Sequence, residues 1–262
     1  MSELRRPPSF LLIALASCGL VFLLLPIVII IPLSLGESRF LEFPPSAWSL
    51  HWYRVFFTVP AWLDALRASF EIGCIVTILS VILSTMAATA IVHSQSAFAR
   101  FMLAMLLSPM IVPGIVTAIA LYSFLSAIGV TGGYLAVIIG HTLIAIPLVT
   151  ISVLTSLLGF NTAYERASLS LGAGPAQTFF RVTLPNILPG IFSGALLAFI
   201  TSFDDVILAL FLGGRTMTLS RKLWEDLVVL VEPTQAAAST VLLAISILLL
   251  IVWAMLQKRE HT

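Results

Sequence analysis

Two adjacent carboxylates, Asp204 and Asp205, follow Ser202 inside a long apolar stretch of the sequence. An ionised side chain deep in lipid is strongly unfavourable unless it faces protein or water, so this group predicts a functional role. Neighbouring residues of a helix point about 100° apart, so both carboxylates cannot face one lumen equally. We expect one of them to line a solute pathway, where an anionic wall would suit a cationic solute. The alternative, equally open, is a polar contact between protein chains.

Other residue types that commonly bind nucleotides or metals do not occur here at the spacings that such sites require. No G-x-x-x-x-G-K-[ST] phosphate loop occurs, so the chain is not expected to bind or hydrolyse ATP itself. The four histidines show no metal-ligand spacing, and His141 is read as a satisfied interior polar group rather than a proton carrier. Cys18 and Cys74 lie in apolar runs and are treated as small hydrophobes. No metal and no cofactor is expected on this chain.

The composition predicts that lipid is the solvent of most side chains. Of 262 residues, 60% are hydrophobic and 10% are charged, and the mean hydropathy is +1.11. These values are far above those of ordinary soluble domains. The net charge of +1 provides no basic field for nucleic acid, so no nucleic-acid partner is expected.

Apolar runs of the length that crosses a bilayer, about 20 residues, occur six times. The sequence therefore predicts an all-α membrane protein, with residues 1–262 forming one transmembrane domain. The predicted spans cover residues 10–35, 72–92, 101–128, 134–158, 187–212 and 236–256.

Six spans place both termini on one side of the membrane. Arg5, Arg6, Lys258 and Arg259 flank the ends, and this positive charge predicts that the termini are cytoplasmic. The loop between the fourth and fifth spans, residues 159–186, is then cytoplasmic as well.

The segment 43–62 follows the first span and concentrates aromatic side chains beside polar groups, among them Trp48, Trp52 and Tyr53. Tryptophan and tyrosine favour the headgroup level of a bilayer. We predict an outer interfacial anchor, with a ligand-gating role as the alternative.

Helix packing and helix distortion also leave signals in the apolar runs. Gly190 and Gly194 recur at a spacing of four, which lets a neighbouring helix approach closely. Pro109, Pro113 and Pro147 are expected to kink or interrupt the third and fourth spans.

The long cytoplasmic loop carries signals for its own secondary structure. Thr162 and Glu165 have the spacing of a capping box, which predicts a helix start. Gly172 is suited to end that helix, and Pro175 is suited to begin a second one. The second helix is predicted to end near Leu184-Pro185.

These loop residues resemble a known family. Gly172, nine residues and then Val182-Thr183-Leu184-Pro185 are similar to the second half of the coupling-loop signature of ABC importer permeases. The first half departs from the signature, because Arg166-Ala167-Ser168 stands where the family has Glu-Ala-Ala. Glu165 lies one residue early, which leaves its role open.

In the family this loop forms a short helix that inserts into a cleft on an ATP-binding subunit. The resemblance implies the same use here, whereas the alternative is a loop helix that packs only on its own bundle. The implied coupling residues are Glu165, Arg166, Ala167, Gly172, Ala173, Phe179, Phe180, Leu184 and Pro185.

Further segments, including Ser202-Phe203-Asp204-Asp205, resemble the spermidine/putrescine-type branch of these permeases. The resemblance implies a bacterial inner-membrane subunit that imports a small amine-bearing solute. Its implied partners are a second permease, related or identical, two cytoplasmic ATPases that hold ATP and Mg, and an extracytoplasmic solute-binding protein. An opine or aminophosphonate stays open as the solute. A secondary transporter or a membrane scaffold is the further alternative, but no internal repeat supports the former.

Overall fold

The computed structural model describes residues 10–94 and 96–258. The expectation of an all-α protein is confirmed, because these residues form helices joined by turns and short irregular segments. The helices, in chain order, are α1 (Phe10–Ser34), α2 (His51–Thr58), α3 (Pro60–Ser94), α4 (Ala97–Leu107), α5 (Gly114–Ala127), α6 (Tyr134–Gly159), α7 (Ala163–Ser170), α8 (Pro175–Thr178), α9 (Leu184–Asp204), α10 (Ile207–Leu212), α11 (Leu219–Val229) and α12 (Pro233–Lys258).

Four helices of the described chain are long and apolar enough to cross a membrane. They are α1, α3, α6 and the continuous helix Pro175–Asp204, and a fifth span is possible if α4 and α5 count as one bent pair. The described apolar part of α12 is shorter, Pro233–Leu248. The number of six spans therefore stays a prediction.

The third apolar run differs from one straight span. A 3-10 turn at Ser108–Met110 follows α4, and α5 begins only at Gly114. The helix direction bends by 106° at this break. Pro109 and Pro113 explain the break, because each lacks an amide hydrogen and its ring clashes with the preceding turn. Pro147, in contrast, lies buried inside an uninterrupted α6.

The first of two structural units contains residues 10–60 and 226–244. Its α1 is followed by an irregular segment that returns alongside the end of that helix. The Ser49 amide donates to the Leu35 carbonyl at 2.7 Å, and the Ser34 and Tyr53 hydroxyls are 2.7 Å apart. Most of the segment 43–62, with α2, belongs to this unit, and its place at a membrane surface stays a prediction.

The second unit contains residues 61–225 and the end of α12, and its core lies between α6 and α9. The predicted close approach at Gly190 and Gly194 is confirmed. A Cβ added at Gly190 would lie 2.7 Å from the Ser152 carbonyl oxygen, and one at Gly194 would lie 3.0 Å from Val149 Cγ1. Any larger residue on this face would push the helices apart, so the glycines set their distance.

Helix α3 packs beside this pair. A Cβ at Gly73 would meet the Phe199 ring at 3.0 Å, which brings α3 against α9. The Ser84 hydroxyl donates to the Ile146 carbonyl at 3.1 Å, which joins α3 to α6.

Candidate functional site

The loop between α6 and α9 folds as a helix, a turn and a second helix, as predicted. Helix α7 ends at Ser170, and Gly172 has a φ of +87°, the left-handed conformation that glycine adopts most easily. Pro175 is the first residue of α8. The Ser168 and Thr178 hydroxyls are 2.9 Å apart and join the two helices.

The predicted capping box at Thr162 is wrong. Thr162 has helical backbone angles, and its side chain makes no capping bond to the α7 amides. Asn161 takes that role, because its Oδ1 accepts from the Ala163 amide at 3.0 Å. The Glu165 carboxylate does not reach back along the helix but binds residues outside α7.

The predicted end of the second helix near Leu184-Pro185 is also wrong. The helix continues from Pro175 to Asp204 through a π turn at Phe179–Thr183. A π turn contains an extra residue, and such turns are a common place for a helix to absorb a local disturbance. Here it ends two residues before Pro185, whose missing amide hydrogen would disturb a regular helix.

A polar cluster holds α7 against the neighbouring elements. Glu165 Oε1 accepts from the Thr183 hydroxyl at 2.5 Å, and Glu165 Oε2 lies 3.2 Å from His93 Nε2 at the end of α3. The other ring nitrogen of His93 is 2.8 Å from the Thr89 carbonyl. A groove of about 300 Å³ borders this cluster and is also lined by Leu169 and Phe179.

The paired aspartates have different surroundings. Helix α9 ends at Asp204, and Asp205 has an extended backbone. Asp205 Oδ1 accepts from the Leu208 amide at 2.7 Å and so caps the start of α10. The Ser220 hydroxyl donates to the Asp205 carbonyl at 2.9 Å. The Asp205 carboxylate therefore stabilises the break between α9 and α10.

Ser202 and His141 form a buried polar pair. His141 is fully buried on α6, and its Nδ1 lies 2.9 Å from the Ser202 hydroxyl. His141 Nε2 lies 3.5 Å from Asp205 Oδ1. Ser202 is only 3% exposed, so its hydroxyl faces α6 rather than an open surface. The histidine is thus an interior polar group whose Nδ1 joins α6 to the end of α9, whereas its Nε2 has no hydrogen-bond partner among the described residues.

Asp204 differs from its neighbour because its side chain is exposed. It lies at the end of a helix face that carries Asn186, Ser193, Leu197 and Ile200 at spacings typical of one side of an α-helix. None of these four residues is buried. A carboxylate on such a face requires water or another protein chain beside it.

Comparison with known proteins identifies the family of this chain. The model of the family described as the binding-protein-dependent transport system inner membrane component matches residues 80–261. The chain belongs to this family of ABC importer permeases.

Relatives of the permease include two transport proteins. The putrescine transport system permease protein PotI of Escherichia coli (strain K12) is 29% identical over 255 residues, which cover 92% of this chain and 89% of that protein. The spermidine/putrescine transport system permease protein PotC of Haemophilus influenzae (strain ATCC 51907 / DSM 11121 / KW20 / Rd) is 25% identical, covering 92% of this chain and 93% of that one.

A solved structure shows the same fold. A chain from a bacterial ABC transporter that imports the acidic polysaccharide alginate aligns with a TM-score of 0.71 at 16% identity, covering 94% of this permease and 93% of that chain. The expected ABC importer permease fold is thereby confirmed.

The residues predicted to couple to an ATPase divide by exposure. The exposed ones are Arg166, Ala167, Gly172, Phe180 and Pro185, and the partly buried ones are Glu165, Ala173, Phe179 and Leu184. Sequence reasoning missed Leu171, which is 88% exposed and precedes the glycine that ends α7. An apolar residue beside a helix-ending glycine, in a loop predicted to be cytoplasmic, could have indicated it. His93 was also missed, because its partner Glu165 is distant in sequence.

Proposed function

We propose that this permease forms half of a translocation pathway for a small amine-bearing solute. We further propose that it is non-catalytic and is driven by a separate ATP-binding subunit that docks on residues 162–185. The observation that carries the coupling proposal is a set of exposed apolar side chains on this loop. They are Tyr164 at 59%, Leu169 at 47%, Leu171 at 88% and Phe180 at 64% exposed.

Tyr164, Leu169 and Leu171 lie outside the apolar spans, where lipid does not cover them if the loop is cytoplasmic, and Phe180 lies near the start of the helix Pro175–Asp204. A large exposed apolar patch on a soluble surface marks an interaction site. Helix α7 buries none of its residues in this chain, so its surface is available to a partner. A cleft on an ATP-binding subunit would bury the patch and receive the helix.

The assembly that we propose contains a second permease, identical or related, two ATP-binding subunits with their ATP and Mg, and an extracytoplasmic solute-binding protein. It would lie in a bacterial inner membrane with both permease termini in the cytoplasm. The family description supports a binding-protein partner and an inner-membrane location. Arg5, Arg6 and Arg259, on which the orientation depends, lie outside the described residues, and Lys258 is the last residue of α12.

The proposed solute class depends on Asp204 and on the relatives. Asp204 places a carboxylate on an exposed face of α9, where it could attract an ammonium group. Both named relatives are polyamine permeases. The fold alone does not choose the solute, because the alginate importer has the same fold and an acidic cargo. An opine or an aminophosphonate, which also carries an amino group, is the second candidate.

Docking is tested by co-purifying the permease with its candidate ATP-binding subunit. Leu171→Ala is compared with Leu158→Ala, because Leu158 on α6 is 71% exposed but precedes the proposed docking loop. Loss of about three methylene-sized groups from a buried contact corresponds to about 2 kcal/mol. We therefore expect the dissociation constant to rise about 30-fold for Leu171→Ala and little for the control. Equal effects of both changes would contradict docking at α7.

Transport is tested in proteoliposomes that contain the permease, the ATP-binding subunit and the binding protein. We expect ATP-dependent uptake of putrescine, with no uptake of an anionic sugar of similar size. Uptake of an opine or aminophosphonate but not of putrescine would support the second solute class. Uptake by the permease without the ATP-binding subunit would instead indicate a secondary transporter.

A further inference from the structure

We propose that Glu165, His93 and Thr183 form a clamp that ties the coupling helix α7 directly to the end of α3. When a docked ATPase moves α7, the clamp pulls α3 with it. Glu165 is thus a positioning residue rather than a docking contact. This inference rests on the proposed coupling function, but its tests are separable from those of docking.

The first observation is that both carboxylate oxygens of Glu165 are engaged within the permease. One accepts from the Thr183 hydroxyl at 2.5 Å, and the other lies 3.2 Å from His93 Nε2. The Glu165 side chain is only 14% exposed. A partner therefore meets Arg166 and Ala167, which are exposed, instead of the Glu165 carboxylate.

The second observation concerns the protonation of His93. Its Nδ1 lies 2.8 Å from the Thr89 carbonyl, which only accepts hydrogen bonds. Its Nε2 faces a carboxylate, which accepts when it is ionised. Both contacts are hydrogen bonds only if both ring nitrogens carry protons. The geometry therefore fits an imidazolium paired with an ionised Glu165, which is the stronger form of the contact.

The third observation concerns which helices the clamp connects. Helix α7 buries no residue fully, and its Glu165 and Ser168 side chains bond to neighbouring elements. Thr183 belongs to the π turn that leads into α9, whereas His93 belongs to α3. The Glu165 carboxylate thus joins α7 to two different elements. A displacement of α7 reaches α3 without first passing through α6.

Helix α3 is suited to carry such a displacement over a long distance. It is continuous from Pro60 to Ser94, 35 residues, or about 52 Å at 1.5 Å per residue. Near its other end Glu71 accepts from Arg67 at 2.7 Å and from the Tyr134 hydroxyl at 3.1 Å. That second contact joins α3 to the start of α6, so both ends of α3 are held by polar bonds.

The main test is a double-mutant cycle of His93→Ala and Glu165→Ala in the reconstituted transporter. We measure the number of solute molecules taken up per ATP hydrolysed. Each single change is expected to lower this ratio at least about fivefold, the lower end of typical allosteric coupling. The double variant should lose no more than Glu165→Ala alone, because His93 acts in the clamp through its contact with Glu165. Additive losses would overturn the clamp.

Thr155→Ala is the matched control, because Thr155 lies outside the docking loop and its hydroxyl donates within its own helix α6, to the Ile151 carbonyl at 2.8 Å. Its uptake per ATP should equal that of the wild type. Association with the ATP-binding subunit and thermal unfolding are measured for every variant. Failure of the wild type to associate would refute docking itself. Normal association with an unchanged uptake per ATP in both single variants would refute the clamp alone.

A pH profile provides a readout that a purely structural role would not change. Among the described residues, Glu165 on α7 is the ionisable side chain that contacts His93. Raising the pH from about 6 to about 9 covers the loss of the His93 proton, which the ionised Glu165 beside it retains above the range of an ordinary imidazole, and would remove the charged half of the clamp. Wild-type uptake per ATP should fall over this range, whereas that of His93→Ala should start low and stay constant. If uptake per ATP changed with pH in the same way in the wild type and in His93→Ala, the proposal would be contradicted.

Discussion

Replacing Gly190 by alanine tests whether the distance between α6 and α9 is set by direct backbone contact. The new Cβ would lie 2.7 Å from the Ser152 carbonyl oxygen and would also press on the Ser156 side chain. Ordinary contacts of a Cβ begin at 3.4 Å, so the gap is short by 3.4 − 2.7 = 0.7 Å. A serine side chain can rotate, but a helix carbonyl can move only with its helix. The two helices must therefore shift.

The energy of such a shift follows from measurements on overpacked cores. An added methyl group that forces the backbone to move lowers the stability by about 1–3 kcal/mol. Alanine favours the helix over glycine by about 1 kcal/mol, which offsets part of this loss. We expect the free energy of unfolding to fall by up to about 2 kcal/mol, the difference between these two effects.

Reversible unfolding in mixed detergent micelles measures this free energy. Gly159→Ala is the matched control, because Gly159 ends α6 and a Cβ there would meet nothing within 4 Å. That variant should be as stable as the wild type or slightly more stable. If Gly190→Ala were as stable as Gly159→Ala, the contact between α6 and α9 would be looser than described. The packing argument would then be refuted.

Two further predictions separate the adjacent aspartates. Asp205→Ala should remove the cap of α10, reduce stability by about 1 kcal/mol and speed hydrogen exchange of the α10 amides, whereas Asp205→Asn should retain most of the bond to the Leu208 amide. Unchanged exchange in Asp205→Ala would contradict the capping role. Asp204→Asn should leave the unfolding free energy unchanged but reduce diamine uptake on the order of tenfold, as expected from a loss of about 1.4 kcal/mol. Normal uptake by Asp204→Asn in a correctly assembled transporter would show that Asp204 does not line the pathway.

Features that depend on residues close together in the chain could be predicted from the sequence. Apolar run length predicted the membrane-crossing helices, and Gly172 with Pro175 predicted the turn between α7 and α8. The spacing of Gly190 and Gly194 predicted a close helix contact, although not that α6 is the partner. These signals are readable because backbone sterics and a helical repeat act over a few residues.

Sequence reasoning failed where neighbouring groups compete. Thr162 had the right spacing for a cap, but Asn161 provides the bond because Thr162 itself has helical backbone angles. Pro185 suggested a helix end, but the π turn before it allows the helix to continue. Local patterns name the candidates for such roles, and the surrounding structure selects among them.

Which polar groups meet follows from the folded chain and not from local sequence. His93 and Glu165 are separated by 72 residues, and His141 and Ser202 by 61. No local pattern encodes either pair. The structure also distinguished Asp204 from Asp205, because the chain leaves the helix between them and only Asp205 turns back to cap α10. Helix packing brings distant side chains together, and the need to satisfy polar groups in an apolar interior then selects their partners.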